Sequence, residues 1–340
     1  MHSARRTSAA VKNFRSELNV YSNRMRRVFL VPAIFLSIYL VLCLAGGIFI
    51  ADGALHPMRR PIDYKERMNA RQVAEAAGSR LQDVSLKTTD GIVLKAWLIQ
   101  PAKDNGNSVL LLHGLGDNRG GTLGYADLLL ASGYSVLMPD ARAHGESGGE
   151  LATYGLLERQ DIHRWADWMK DQFHPGCVFG LGESMGAAQL LESLAETHFC
   201  AVVAESSFSN FLEIAYDRMG QPFGIGPWLG ETLLRPVISV AYWRAEYRYG
   251  LHMQQVSPEA ALRDSRTPVL LIHGADDHNI PPRHSELLFR TRVQNTEIWR
   301  VPSADHCGAI STAPEEFARR LLSFYAAHAT SPTPAALAAR

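Results

Sequence analysis

The chain has 340 residues, 46% of them apolar and 20% charged, which is enough apolar material for an ordinary core and excludes global disorder. Its 34 Lys and Arg balance 34 Asp and Glu, so no net charge draws it to nucleic acid. Its four cysteines, Cys43, Cys177, Cys200 and Cys307, show no C-x-x-C pair and no zinc-type spacing, so they read as buried or incidental thiols. Export would permit a disulfide, but the sequence does not say which would pair.

Residues 1–27 form a basic N-terminus with Arg5, Arg6, Lys12, Arg15, Arg24, Arg26 and Arg27. Val28–Ile50 follows without a charge. As a helix it would be roughly 35 Å long, enough to cross a membrane core of about 30 Å. A signal peptide has a shorter apolar region, so an uncleaved anchor through residues 28–50 is expected. Beyond the span lie Arg59, Arg60, Lys65, Arg67 and Arg71. The heavier basic side is N-terminal, so the positive-inside rule puts residues 1–27 in the cytoplasm and the rest outside.

Residues 51–80 read as a linker with one short helix near Tyr64–Ala77. Asp83–Thr89 and Ile92–Gln100 flank Thr89-Asp90-Gly91, a hairpin signal. Short apolar runs then follow at Ser108–His113, Ser135–Asp140, Cys177–Gly182, Ala201–Ser206, Pro268–His273 and Thr296–Val301. Helical patterns separate several of them: Tyr125–Ala131, Leu156–Asp171, Met185–Thr197 and Arg283–Val293. Apolar strands alternating with helices predict a mostly parallel sheet flanked by helices, with the hairpin at one edge. Phe208–Val256 breaks the alternation. Its aromatics and its Gly224, Gly226 and Pro227 suggest a helical cap inserted over the C-terminal edge of the sheet. The main domain is thus expected over residues 81–328, and the Ala/Pro-rich residues 329–340 form a flexible tail.

Gly182-Glu183-Ser184-Met185-Gly186 is G-x-S-x-G. The pattern alone is short, but a strand runs into it and a helix leaves it. That context predicts a nucleophile elbow, a sharp turn presenting the Ser184 hydroxyl above the sheet. A serine hydroxyl is a weak nucleophile at neutral pH and needs a base, which in turn needs an orienting acid. The order serine, acid, histidine is met by Ser184, then Asp276 or Asp277 after Leu270–His273, then His306 after Trp299–Val301. Glu205, ending its own strand, is a further acid candidate. Asp305 beside the base reads as solvated, and His278 and His284 as ordinary polar residues. An oxyanion requires backbone donors, which Met185 and Leu115 are placed to supply, the latter in the loop His113-Gly114-Leu115-Gly116-Asp117-Asn118.

On these residues the chain resembles the α/β-hydrolase superfamily, in its serine aminopeptidase-like and acyl-hydrolase branch. Asp140-Ala141-Arg142-Ala143-His144-Gly145-Glu146-Ser147 resembles that branch's D-x-R-x-H-G-x-S loop. His113-Gly114 resembles its oxyanion loop, and His273-Gly274 through Asp277 to Ile280-Pro281 its acid loop. The resemblance covers about residues 82–328. It implies the α/β-hydrolase fold, Asp277 as the acid by its spacing to Ile280-Pro281, and a supporting role for Asp140–Ser147. It implies cleavage of an ester, thioester or lipid acyl bond in a small-molecule substrate through an acyl-enzyme, with no cofactor and no metal. The alternatives are a peptidase that removes N-terminal residues, with Glu213, Asp217, Glu231 or Glu246 of the cap receiving the amine, and a catalytically dead membrane-tethered scaffold. The resemblance is to a scaffold that hosts many chemistries, so it names no substrate.

Overall fold

The structure is a computed structural model that describes residues 2–329, without the side chains of residues 2–20 and 22–25. The expected tail lies, beyond Ala329, outside the described residues. In chain order the helices are α1 (His2–Leu55), α2 (Tyr64–Ala76), α3 (Leu123–Ala131), α4 (Glu158–Phe173), α5 (Met185–Glu192), α6 (Phe211–Gly220), α7 (Trp228–Glu231), α8 (Arg235–Tyr249), α9 (Pro258–Asp264), α10 (Arg283–Thr291), α11 (Ala309–Thr312) and α12 (Pro314–His328). The strands are β1 (Gln82–Lys87), β2 (Val93–Ile99), β3 (Ser108–Leu112), β4 (Ser135–Pro139), β5 (Val178–Glu183), β6 (Val202–Glu205), β7 (Val269–Gly274) and β8 (Thr296–Val301).

All eight strands join one sheet in the order β1-β2-β4-β3-β5-β6-β7-β8. The β1–β2 and β2–β4 pairs are antiparallel, and every other pair is parallel. Successive side chains of a strand point to opposite faces, so a strand covered on both sides must be apolar at every position. β3 does this. Val109 and Leu111 face one core, with Tyr125 and Leu129 of α3 and Phe317, Leu321 and Tyr325 of α12. Leu110 and Leu112 face the other, with Trp165 and Met169 of α4, Leu190 of α5 and Leu288 of α10. Each such fully buried Leu or Val contributes on the order of 2 kcal/mol relative to exposure.

Two segments differ from the sequence reading. Residues 51–80 carry the expected short helix, α2, but their first residues continue α1 instead of starting a linker. α1 continues to Leu55, which is buried. α2 starts at a capping box in which Asp63 accepts from Glu66 N (2.7 Å) and Glu66 accepts from Asp63 N (3.0 Å). It buries only the small Ala70 and Ala74 against the sheet, so its contact face is thin in apolar residues. Second, α12 occupies a stretch for which no element was expected, and it closes one face of the sheet.

α6, α7 and α8 form a cap with its own core, in which Ile214, Tyr216, Ile238, Tyr242 and Met253 pack with Met185 and Leu55. The turns after β3, β5, β7 and β8 all leave the C-terminal edge of the parallel strands, where ligands of open α/β sheets bind. Within α1, Arg26–Leu55 is long and apolar enough to cross a membrane.

Candidate active site

β5 ends at Glu183 and α5 begins at Met185, so Ser184 is the entire turn. Its φ of 52° lies in the left-handed region, a strained position for a side chain other than glycine. The flanking glycines let the turn close. A Cβ on Gly182 would sit 2.6 Å from the carbonyl oxygen of Gly186, and one on Gly186 would sit 2.6 Å from those of Leu112 and His113. Ser184 N–H donates to Glu205 O (2.8 Å), which ties the turn to β6.

Three of the expected site residues come together above this turn. Ser184 Oγ is 2.9 Å from His306 Nε2, and His306 Nδ1 is 2.8 Å from Asp277 Oδ2. A carboxylate facing Nδ1 fixes the proton there and leaves Nε2 to accept from the serine hydroxyl. The other Asp277 oxygen accepts from the N–H groups of Asn279 (2.9 Å) and Ile280 (2.8 Å). Burial pushes the Asp277 carboxyl up, but hydrogen bonds from His273 and His306, the His306 charge and the Ile280 N–H outweigh it. The acid is held well below the usual carboxylate range. Asp276 points to solvent and does not join the constellation. Asp305 is exposed and accepts from the N–H of His306 (2.8 Å).

Sequence reasoning missed His273, the last histidine of β7 before the acid loop. It is fully buried, with Nε2 2.8 Å from Ile280 O and 3.2 Å from Asp277 Oδ2. A carbonyl only accepts, so Nε2 carries the proton and Nδ1 accepts from the Ser285 hydroxyl (2.5 Å). His278 is exposed, whereas His284 is buried between Ser209 and Asp217 and serves the cap.

The loop after β3 passes directly beside the serine. A Cβ on Gly114 would be 3.4 Å from that of Ser184. Leu115 and Met185 line the same cavity as Ser184 and His306. Met185 is the first residue of α5, so its N–H has no partner within the helix. His113 holds the loop's start. Its Nε2 accepts from Ala141 N–H (3.1 Å), so its Nδ1 donates to Gly114 O (2.8 Å). Burial keeps this imidazole neutral by lowering its pKa. Asp140 anchors the neighbouring loop by accepting from Arg119 Nη1 and N (2.5 and 2.8 Å) and from Glu146 N (2.7 Å).

Under the elbow lie two carboxyls in register, Glu183 and Glu205. Both reach the Tyr125 hydroxyl, at 3.2 and 2.9 Å. Glu205 is satisfied there and by Ala309 N–H (2.9 Å), so it is not the partner of His306. Burial, then the charges of Glu205 and Asp117, push the Glu183 carboxyl up to about 7.

The site opens into a cavity of ≈ 710 Å³ with mostly apolar walls from α5, the cap and, unexpectedly, the end of α1. Among the described residues, Arg218 of α6 is the one basic side chain on its lining besides His306. Among the described residues, no group of three or more His, Cys, Asp or Glu is arranged to hold a metal ion.

The model of the alpha/beta hydrolase family matches residues 109–320. An uncharacterised protein of Bacillus subtilis strain 168, YqkD, is 29% identical over 222 residues, covering 64% of this chain and 70% of that one. A thermostable monoacylglycerol lipase of Bacillus sp. strain H-257 is 26% identical over 238 residues, covering 65% of this chain and 91% of the lipase. Among solved structures, an esterase of Pyrococcus furiosus superposes with a TM-score of 0.64 at 23% identity, over 82% of this chain and 99% of the esterase. An acylaminoacyl peptidase of Pyrococcus horikoshii superposes at 0.56 and 17% identity, over 75% of this chain and 42% of the peptidase. Matched over more than half its length, with the elbow, the sheet order and the cap in place, the chain belongs to the α/β-hydrolase family.

Proposed function

We propose that the chain is a membrane-anchored serine hydrolase that cleaves carboxylic esters through an acyl-enzyme. The observation that carries this is the unbroken hydrogen-bonded line from Ser184 through His306 to Asp277. Ser184 attacks the acyl carbonyl as His306 Nε2 takes its proton, and Asp277 stabilises the imidazolium. The N–H groups of Met185 and Leu115 receive the oxyanion. His306 returns the proton to the departing alcohol, and water releases the acid from Ser184 by the reverse sequence. The likeness to a monoacylglycerol lipase and the apolar cavity favour an ester with an apolar acyl chain.

The peptidase alternative needs an unengaged acid near the serine for the substrate amine. Glu213 and Asp217 are instead paired with Arg283, and Asp217 also with His284. Glu231 and Glu246 are exposed and do not line the cavity. We assign the catalytic domain to the extracytoplasmic side. The heavier N-terminal basic charge favours this, as does the disulfide between Cys177 and Cys200, a bond that persists in oxidising compartments.

The test is labelling of the full chain by a fluorophosphonate probe together with turnover of p-nitrophenyl esters and aminoacyl anilides. Ser184→Ala should abolish both labelling and ester turnover. Labelling that survives the substitution refutes the nucleophile, and anilide turnover exceeding ester turnover restores the peptidase.

A further inference from the structure

α1 continues past the apolar run and packs along α8 of the cap. The Tyr39 hydroxyl donates to Leu233 O (2.6 Å) just ahead of α8. A Cβ on Gly47 would lie 2.6 Å from the Val237 carbonyl oxygen and from Val240 Cβ, so here the helices touch almost backbone to backbone. Asp52 accepts from Arg244 (3.0 Å) and from the Tyr249 hydroxyl (2.9 Å). The partners rise together along both helices, so α8 runs parallel to α1. Tyr39 precedes Ile50 by about 16 Å of helix. The start of α8 therefore lies well within the depth of the apolar run. Just ahead of it Trp228 and Leu233 are exposed, large apolar side chains that water would solvate poorly and lipid would accept, and Glu231 and Arg235 are exposed beside them.

The same contact shapes the cavity. Its lining includes Ser184 and His306 together with Phe49, Ile50 and Gly53 of α1 and Val237 of α8. Phe49 and Ile50 close the apolar run Val28–Ile50, so this wall of the cavity lies at the level at which that run would leave the bilayer. We propose that the last turns of α1 form a wall of the acyl pocket, and that the pocket is loaded from the side with a long-chain lipid ester drawn from the membrane. This deepens the ester-hydrolase reading and rests on it. The membrane helix is then part of the substrate site as well as an anchor. Its burial supports retention: Leu55 sits in the cap core, Ala152 N–H donates to Leu55 O (2.9 Å) and the Tyr154 hydroxyl to Ala54 O (2.8 Å).

The test uses the full chain in phosphatidylcholine vesicles, with butanoyl and hexadecanoyl esters of one alcohol. Gly53 lines the cavity and a Cβ on it meets no atom within 4 Å, so Gly53→Phe adds a ring to this wall without a clash at the Cβ. The hexadecanoyl-to-butanoyl turnover ratio should fall about tenfold, as expected for excluding several methylenes. Ala54→Leu, a smaller change on the same wall, should move the ratio in the same direction. Leu233→Glu, off the cavity, should lower hexadecanoyl turnover in vesicles by about fivefold relative to the same ester in detergent micelles, by placing a charge at bilayer depth. An unchanged ratio in both wall variants overturns the wall, and equal effects in vesicles and micelles overturn loading from the bilayer. Either result with Ser184-dependent ester turnover intact leaves the hydrolase standing, whereas turnover surviving Ser184→Ala removes the hydrolase itself.

Discussion

His273 Nε2 approaches within 3.2 Å of Asp277 Oδ2, the same oxygen that His306 Nδ1 contacts at 2.8 Å. The acid is thus held from two sides, and both contacts lower its pKa. A depressed carboxyl contributes stability above its ordinary pKa, and loses it as pH falls through the depressed value. In His273→Gln one of these supports weakens. The acid unfolding midpoint should rise by about one pH unit. His273 touches no substrate, so this is a positioning effect, and kcat should fall about tenfold with KM little changed. An unmoved acid midpoint would show that His273 merely fills space.

Asp277 and Asp276 are adjacent in sequence and opposite in environment, one buried against His306 and the other in solvent. Asp277→Asn should lower ester kcat by about 10⁴, because an amide no longer fixes the imidazole tautomer. Asp276→Asn should stay within about twofold of the parent, as surface changes do. Equal losses in steady-state kinetics would show that the acid loop as a whole, rather than one carboxylate, matters.

Glu183 gives a pH effect of the opposite sign. Its carboxyl is raised from 4.5 to about 7 by burial and by neighbouring Glu205 and Asp117. A raised acid favours the folded state while protonated, and that stability drains away as pH rises from the unfolded value through about 7. Glu183→Gln cannot ionise, so its stability should be flatter across this window. Above pH about 7.5 it should exceed the parent's by up to roughly 3 kcal/mol. Chemical denaturation at a series of pH values measures this. Parallel curves for the two proteins would mean that Glu183 is solvated.

What the sequence made legible follows the range of the interactions. Ser184, Asp277 and His306 were readable because each sits in a local pattern, a strand ending in a short polar turn, and the sheet brings such turns to one edge. β3, β4 and β7 were readable because a doubly covered strand carries an unbroken apolar run, Val109–Leu112, Val136–Met138 and Val269–Ile272. Contacts set only by tertiary placement were not readable. Nothing local marks His273 as a partner of Asp277, and Cys177 and Cys200 meet because β5 and the approach to β6 lie side by side, with Cys200 N–H donating to Val178 O (2.9 Å). The end of α1 looked like a plain anchor because its second partner, α8, lies about two hundred residues further on. α12 differs from these. Phe317, Leu321, Phe324 and Tyr325 recur at helical spacing, a signal present in the sequence and passed over.

The Cys177–Cys200 disulfide ties stability to membrane orientation. It spans 23 residues of sequence and staples the start of β5 to the approach to β6, with the Cα atoms 5.7 Å apart. Closing a loop of this length contributes about 3 kcal/mol, chiefly by restricting the unfolded chain. Cys177→Ser with Cys200→Ser, or reduction of the parent, should lower stability by that amount while Ser184 remains open to the fluorophosphonate probe. In cells, the same pair reports the compartment. A mass-tagged maleimide applied to the denatured chain should find Cys177 and Cys200 blocked until reductant is added, with Cys43 and Cys307 reactive throughout. If all four thiols react without reductant, the domain faces a reducing compartment. In that case the N-terminal basic residues do not direct the topology.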